Sequence, residues 1–384
     1  MFCLSFFLSI YGFYFLLVTK NSKTKEYLNF INSCLAINLK SEDLPMVTIL
    51  MPVHNGEDII SNKLKNINTF MYPHEKLEVI LLNDCSTDNT VEIAKRTFEE
   101  LSLSHKILSN SKKSGVNVSY NKGVKEAAGD FIMTTDADIM VERDALMNGV
   151  KILYSSQDIG GVTGGTTTVY NVNTAAVKME NSYRTFFDRM LLTESAIDST
   201  YPGYTGLALV RKSVFAPLNQ AYGSSDGNLS LSIIAQGFRF VFVPQLVFHE
   251  KIASNIKEQR RQKIRRGTRL LQSTIVHSKK LFHAENRKFT TLIFPLRFLM
   301  MAFCPALFLI GLLSLLTVSL VLSPLFALVL AGVSFGLVFL GTKVSSKILN
   351  MFSSFVFNQL YLVLALFLSP RKAKTWRSVE RVSA

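Results

Sequence analysis

Two carboxylates one residue apart, Asp136 and Asp138, flank the small residue Ala137. In an extended or turning segment both can face one hard cation, and Mg2+ or Mn2+ is commonly held by one or two carboxylates plus substrate phosphates. An Asp-x-Asp alone occurs in many turns, so its neighbours decide its meaning. Two further polar clusters precede it, His54-Asn55-Gly56-Glu57 and Asp84-Cys85-Ser86-Thr87-Asp88. Asp84 suits hydrogen bonding to a base or ribose, or an Asx turn opening the next helix, and Asp88 reads as that helix's N-cap. Asp226, in SSDGNLSLSIIAQGF, stands at or near a helix N-cap. It either caps that helix or takes a proton from a hydroxyl as a general base. A helix N-terminus favours the ionised carboxylate that the second role requires. Gln262, Arg265 and Arg266 suit phosphate oxygens, or lipid headgroups if their helix lies at a membrane surface. His249, at the end of an apolar run, reads as a hydrogen-bonded structural histidine before a third metal ligand.

The elements that must position these residues follow from periodicity. VTILMPV (47–53) reads as a strand, 58–70 as a helix, LEVILLN (77–83) as a strand and 88–101 as a helix. HKILS (105–109), a helix around 117–128 and DFIMTT (130–135) continue the alternation. Such alternation predicts an α/β domain with a mostly parallel sheet. Ligands of open sheets bind beyond the C-terminal strand ends, where three of the polar clusters fall.

Composition places the rest. Residues 1–19, 298–342 and 348–370 contain no Asp, Glu, Lys or Arg. A span needs about 20 apolar residues, so 298–342 predicts two transmembrane helices broken near Ser323-Pro324. Residues 1–19 predict an N-terminal anchor, because Lys20, Lys23 and Lys25 follow the apolar run instead of preceding it. Those lysines put the central domain in the cytosol of a multi-pass plasma-membrane protein. The expected order is anchor 1–19, juxtamembrane linker 20–45, catalytic domain 46–250 and a basic amphipathic or interfacial region 251–297. Two spans at 298–342, a third apolar segment at 348–369 and a basic cytosolic tail at 370–384 complete it. The third segment carries Asn350, Asn358 and Gln359, which suits an interfacial or re-entrant placement as well as a crossing. The formal charge of +14 gathers beside the apolar segments, which points to membrane lipids and away from nucleic acid. Cys3, Cys34, Cys85 and Cys304 have no paired spacing, as suits a reducing compartment.

The ordered series PVHNGE, NDCSTD, GVNVSYNKGVKEAAGD, TTDAD, GYTGLALVRKSVF, SDGNLSLS and QKIRRG resembles the inverting family 2 glycosyltransferases of the GT-A fold, over about residues 46–270. The resemblance implies that His54, Asn55, Glu57 and Asp84 contact the nucleotide and that Asp136 faces the nucleotide-sugar. It further implies that Asp138 ligates Mn2+ or Mg2+, that Asp226 is the catalytic base, and that Gln262, Arg265 and Arg266 meet the acceptor or diphosphate. The implied partners are a nucleotide-sugar donor, with a UDP-sugar favoured, and a lipid-linked or glycan acceptor. The family's Glu-Asp pair is Ser225-Asp226 here. Its polymerising synthases usually carry Gln-x-x-Arg-Trp, whereas this chain has Gln262-Lys263-Ile264-Arg265-Arg266, and the Gly-Lys that such synthases often carry is Gly115-Val116. Thr375-Trp376-Arg377 and Glu380-Arg381 do look like the tail of some exopolysaccharide synthases.

Transfer of one sugar with inversion is therefore the leading expectation, and a processive exopolysaccharide synthase the alternative. A nucleotidyltransferase would carry a Gly-rich basic loop after its first strand, and His54-Asn55-Gly56-Glu57 is not one. A non-catalytic nucleotide-sugar-binding membrane protein would not need Asp84, Asp136, Asp138 and Asp226 together. A transporter would place charges within its spans.

Overall fold

Strands β1 (Val47–Val53) and β2 (Leu77–Asn83) are buried along their whole length, as strands covered on both faces must be. Their side chains alternate between two cores. Ile49, Met51, Val79 and Leu81 join one cluster with Ile60, Leu64 and Phe98, while Leu50, Ile80 and Leu82 join another with Tyr120 and Ile132. The structure is a computed structural model that describes residues 2–19, 22–169, 175–202, 206–251, 256–284, 287–344 and 346–370.

Before β1 come α1 (Phe2–Thr19) and α2 (Lys23–Leu35). Helix α3 (Glu57–Asn68) links β1 to β2, and α4 (Thr90–Leu101) links β2 to β3 (His105–Ser109). Next come α5 (Val116–Glu126), β4 (Phe131–Thr135), β5 (Ile139–Val141), α6 (Ala145–Ser155), β6 (Ile159–Val169) and α7 (Ala175–Ile197). The domain closes with β7 (Leu207–Arg211), α8 (Ser225–Ile234) and β8 (Arg239–Lys251). The sheet order is β3-β2-β1-β4-β7-β6-β8-β5. β1, β2, β3 and β4 run parallel, as do β6 and β8, whereas β7 runs against both β4 and β6 and β5 runs against β8.

The stretch expected as a linker (20–45) contains a helix built into the domain. Tyr27, Ile31 and Cys34 of α2 belong to the first core cluster, and the Tyr27 hydroxyl donates to the Phe242 carbonyl of β8 at 2.9 Å. Their i, i+4, i+7 spacing makes one buried stripe, which outweighs the flanking lysines.

Helices α9 (Ile256–Phe282), α10 (Phe294–Ala302), α11 (Cys304–Leu322), α12 (Pro324–Lys343) and α13 (Lys347–Leu368) follow. Pro324 opens α12 and the Ser323 hydroxyl accepts from the Phe326 N–H, so the expected break is a proline-initiated helix start. Among the described residues, helices at Cys304–Leu322, Pro324–Gly341 and Ile348–Leu368 are long and apolar enough to cross a membrane. Helix α1 packs on α11, with Leu4 against Gly311 and the Phe7 ring 5.3 Å from Phe308. The basic tail, with Thr375-Trp376-Arg377, lies outside the described residues except for Pro370.

Candidate active site at the strand ends

The loop after β1 is tied to the loop after β2 by hydrogen bonds without an ion pair between them. His54 Nδ1 bonds the Asp84 carbonyl at 2.9 Å. Asn55 sits at φ 50°, a left-handed conformation that asparagine tolerates. Its Oδ1 accepts from the Thr87 N–H at 2.9 Å, and its own N–H donates to the Ser86 hydroxyl at 3.0 Å. Glu57 Oε2 accepts from the Asn89 N–H at 3.0 Å. Asn89 stands at the N-cap position of α4 without a side-chain cap, and Asp88 just before it supplies the cap, its Oδ1 accepting from the Thr90 N–H at 3.2 Å. The same carboxylate accepts from the Glu57 N–H at 3.2 Å and so serves the start of α3.

Asp84 is 1% exposed. Its Oδ1 accepts from the Asn110 amide at 2.9 Å and the Ser114 N–H at 2.7 Å, and its Oδ2 from the Gly115 N–H at 2.9 Å. The carboxylate therefore organises the loop between β3 and α5. It does not make the Asx turn that its sequence position suggests.

Asp136 and Asp138 occupy the turn between β4 and β5. The Asp136 N–H donates to the Gly206 carbonyl at 3.1 Å, one residue before β7. A Cβ at Gly206 would lie 3.2 Å from Asp136 Oδ2 and 3.1 Å from Ile139 Cδ1, so a larger residue there would press on both side chains of this turn.

Asp226 approaches the same place from α8. The N-cap is Ser224, whose hydroxyl accepts from the Gly227 N–H at 3.1 Å, so Asp226 is half-buried inside the first turn and is not the cap. Burial first, then the Asp136 carboxylate, push its pKa well above the usual carboxylate range, with Glu250 adding and Arg266 opposing. The helix terminus predicts an easily ionised group, and desolvation plus a like charge overturn that expectation. Tyr120, buried on α5, feels both Asp136 and Asp226, and burial with these charges raises its hydroxyl pKa.

Helix α9 holds this side of the site. Gln272 accepts from the Gly223 N–H at 3.1 Å and donates to the Ser369 carbonyl at the end of α13 at 2.9 Å. Ser273 accepts from the Ser224 N–H at 3.0 Å. About two turns earlier, the Arg266 guanidinium donates to Glu250 at 2.6 Å, and Glu250 also accepts from Arg184 of α7 at 2.9 Å. Arg184 pairs with Glu180 at 3.2 Å, and Lys263 with Glu180 at 3.0 Å. Gln262 is buried and Arg265 half-buried on the same helix. Of the three α9 residues singled out in the sequence, Arg266 is thus brought beside Asp226 through the ion-paired Glu250.

His249 pairs its Nε2 with Glu142 at 2.5 Å, as a structural histidine does. Among the described residues no group of three His, Cys, Asp or Glu side chains gathers to hold a metal by itself. The donors at hand, the Asp136 and Asp138 carboxylates, are hard oxygens, and they fit a divalent cation whose remaining ligands are phosphates or water. Sequence reasoning missed Tyr120, the ion network under Asp226, and Lys63 of α3, whose Nζ lies at hydrogen-bonding distance from Thr135 and Ile139. The signal for Lys63 was present. Ile60, Leu64 and Ile67 mark the buried face of α3, and Lys63 falls on that face.

Over residues 48–216 the sequence matches the family described as Glycosyl transferase family 2. It is similar to the probable glycosyltransferase YdaM of Bacillus subtilis, 26% identical over 249 residues covering 63% of this chain and 59% of that one. It is also similar to the poly-beta-1,6-N-acetyl-D-glucosamine synthase of Staphylococcus aureus, 31% identical over 141 residues, or 37% of this chain and 33% of the other. The chain therefore spans less than two thirds of the length of either relative. Among solved structures it superposes on the mannosyltransferase PcManGT of Pyrobaculum calidifontis, determined with GDP-Man and Mn2+, with a TM-score of 0.72 and 21% identity over 95% of this chain and 98% of that one. That likeness establishes the fold as GT-A.

Proposed function

We propose that this chain, whose residues 48–216 match the family described as Glycosyl transferase family 2 and whose fold is GT-A, is a membrane-bound, nucleotide-sugar-dependent glycosyltransferase that inverts the sugar it transfers. The observation that carries the reading is the placement of Asp226 in the first turn of α8, close enough to Asp136 for the two carboxylate charges to interact. In this reading His54, Asn55, Glu57 and Asp84 form the nucleotide edge. They act partly through the loops they hold, since Asn55, Glu57 and Asp84 use side-chain oxygens on backbone N–H groups.

Asp136 faces the donor, and Asp138 holds Mn2+ or Mg2+. A bound divalent cation supplies positive charge where the diphosphate departs. With a bound cation offsetting the Asp136 charge that raises its pKa, Asp226 would ionise and take the proton of an acceptor hydroxyl as that oxygen attacks the anomeric carbon from the side opposite the leaving group. Arg266, with Gln262 and Arg265 beside it on α9, faces the acceptor or the diphosphate. The acceptor is lipid-linked or a glycan, because α9 joins the catalytic domain to apolar helices. The domain lies on the cytosolic side of the plasma membrane, and external labelling of a cysteine placed at residue 226 in sealed cells would contradict this placement.

Incubating the purified protein with radiolabelled UDP-, GDP- and dTDP-sugars and a membrane extract tests the function. Label should enter a product of discrete size from one donor class. Release of sugar to water alone, or no transfer from any donor, would sink the reading, and a polymer ladder would favour a processive synthase.

A further inference from the structure

Lys63 has none of its surface exposed. Lysine stems commonly lie along apolar surface with the ammonium reaching water, but this ammonium points into the domain. Its Nζ donates to Thr135 Oγ1 at 2.9 Å and to the Ile139 carbonyl at 2.8 Å. Thr135 immediately precedes Asp136, and Ile139 immediately follows Asp138. One buried side chain thus brackets the three residues Asp136, Ala137 and Asp138 from behind. An apolar side chain would fill the slot without the desolvation cost of an ammonium, so packing alone does not account for a lysine here. Neither acceptor is supplied by chance of surface geometry, since Thr135 is also buried and Ile139 pairs with Glu250 in the sheet.

We infer that Lys63 is a positioning residue for the Asp136–Asp138 turn, fixing its two ends so that the carboxylates between them hold a metal-diphosphate group in one geometry. The inference deepens the proposed function and rests on its assignment of Asp138 to the metal. Burial pulls the ammonium down to a pKa of about 7, and Asp136 and Asp138 act against that pull, so the three groups share one electrostatic environment. Groups that orient metal ligands from behind typically contribute about 10- to 100-fold to metal affinity.

The test is Mn2+ binding by the full-length protein, followed by EPR in the presence of UDP and, separately, GDP, with melting followed alongside. Lys63→Met should weaken Mn2+ binding by about 10- to 100-fold, and excess Mn2+ should restore turnover. Lys63→Gln, which keeps an N–H donor without the charge, should recover part of the affinity. Thr135→Val, which removes one of the two arms, should lose less than Lys63→Met. A tie that merely holds α3 to the sheet would lower the melting temperature and leave the Mn2+ affinity of the folded protein unchanged, which would overturn the inference. Tighter binding by Lys63→Met would overturn it too, because the ammonium would then act only by opposing the metal's charge. If Lys63→Met does not melt cooperatively, Lys63→Gln and Thr135→Val decide by the same affinities. Asp138→Asn separates the two levels. Wild-type Mn2+ binding by that variant removes the metal assignment itself, whereas loss there with no loss in the Lys63 and Thr135 variants removes only the role of Lys63.

Discussion

Between β1 and β3 the loops are joined by hydrogen bonds without ion pairs, with the Asp84 carboxylate accepting only from amides: Asn55 to Thr87 and Ser86, Gly56 to Thr90, Asp84 to three partners in 110–115. Between β4 and α9 an ionic network adds to the hydrogen bonds, running from Arg266 through Glu250 and Arg184 to Glu180 and Lys263. The first arrangement satisfies a carboxylate, Asp84, completely. The second leaves Asp226 opposed by Asp136 and Glu250 with Arg266 as its counterweight. Satisfied hydrogen bonds fix a shape before any ligand arrives. Opposed carboxylates cost stability, and groups perturbed in this way cluster where chemistry is done. The comparison assigns shape to the β1–β3 side and reactivity to the β4–α9 side.

Neutralising Asp226 attacks the reactive side most directly. Asp226→Asn should lower kcat by about 10²–10⁴-fold, the usual worth of a positioned general base, while Ser224 continues to cap α8 and the fold survives. The same variant has a signature in stability. Because the native pKa of Asp226 is raised, the folded protein keeps a proton over a pH range in which the unfolded chain has lost it. Stability from this group is complete below the unfolded carboxyl pKa, about 4, and is lost as pH rises through the native value. Without metal, Asp226→Asn should therefore melt above the wild type at neutral pH, with the gap closing toward about pH 4. A gap independent of pH, or wild-type transfer by the folded variant, would break the comparison at its centre.

Next in size is the ion network. Arg184→Met leaves Glu180 and Glu250 with one cation each, and removing one partner of a buried pair typically costs about 3–5 kcal/mol. Both side chains of the Arg184–Glu250 pair are 5% exposed or less, so solvent screening is slight. Chemical denaturation should show the loss. A loss below about 1 kcal/mol, the range of surface pairs, would mean that the network does not hold this side together.

The two sides also differed in how well the sequence announced them. β1, β2 and β4 are short apolar runs between amphipathic helices, and their C-terminal ends locate the polar clusters by rule. The positions of Asp136 and Asp138 relative to those elements were legible for that reason, and Asp226 was placed by the loop-to-helix pattern that opens α8. The antiparallel β7 and β5 were not, because pairing across the sheet depends on residues distant in the chain, such as Gly206 meeting Asp136. Glu180, Arg184, Glu250 and Lys263 come from three elements, and nothing local announces their meeting. The rise in the Asp226 pKa was hidden in the same way, since Asp136 and Glu250 reach it only through the fold. Lys63 and α2 are different cases: the buried stripe is visible in both sequences, but in α3 it contains a lysine and in α2 it follows a basic run, and neither pattern alone says that the residue is buried.

The smallest expected effect tests the shape-keeping side at Asn55. The resemblance implies a nucleotide contact, but the structure gives both ends of this amide to Thr87 and the backbone a φ of 50°. Asn55→Ala loses the hydrogen bonds, each worth about 1 kcal/mol net, and forces a Cβ-bearing residue without asparagine's tolerance into the left-handed region. Asn55→Gly loses the same hydrogen bonds yet accepts that backbone freely. Denaturation should therefore rank wild type above Asn55→Gly and Asn55→Ala lowest, with about 1 kcal/mol between the two variants. If Asn55 serves the donor site by holding the 84–90 loop, donor KM should follow that rank, worst for alanine and intermediate for glycine, with kcat little changed. Equal rises in KM from two variants of unequal stability would mean that the lost amide touched the nucleotide itself, and the β1 loop would then be a binding surface as well as a scaffold.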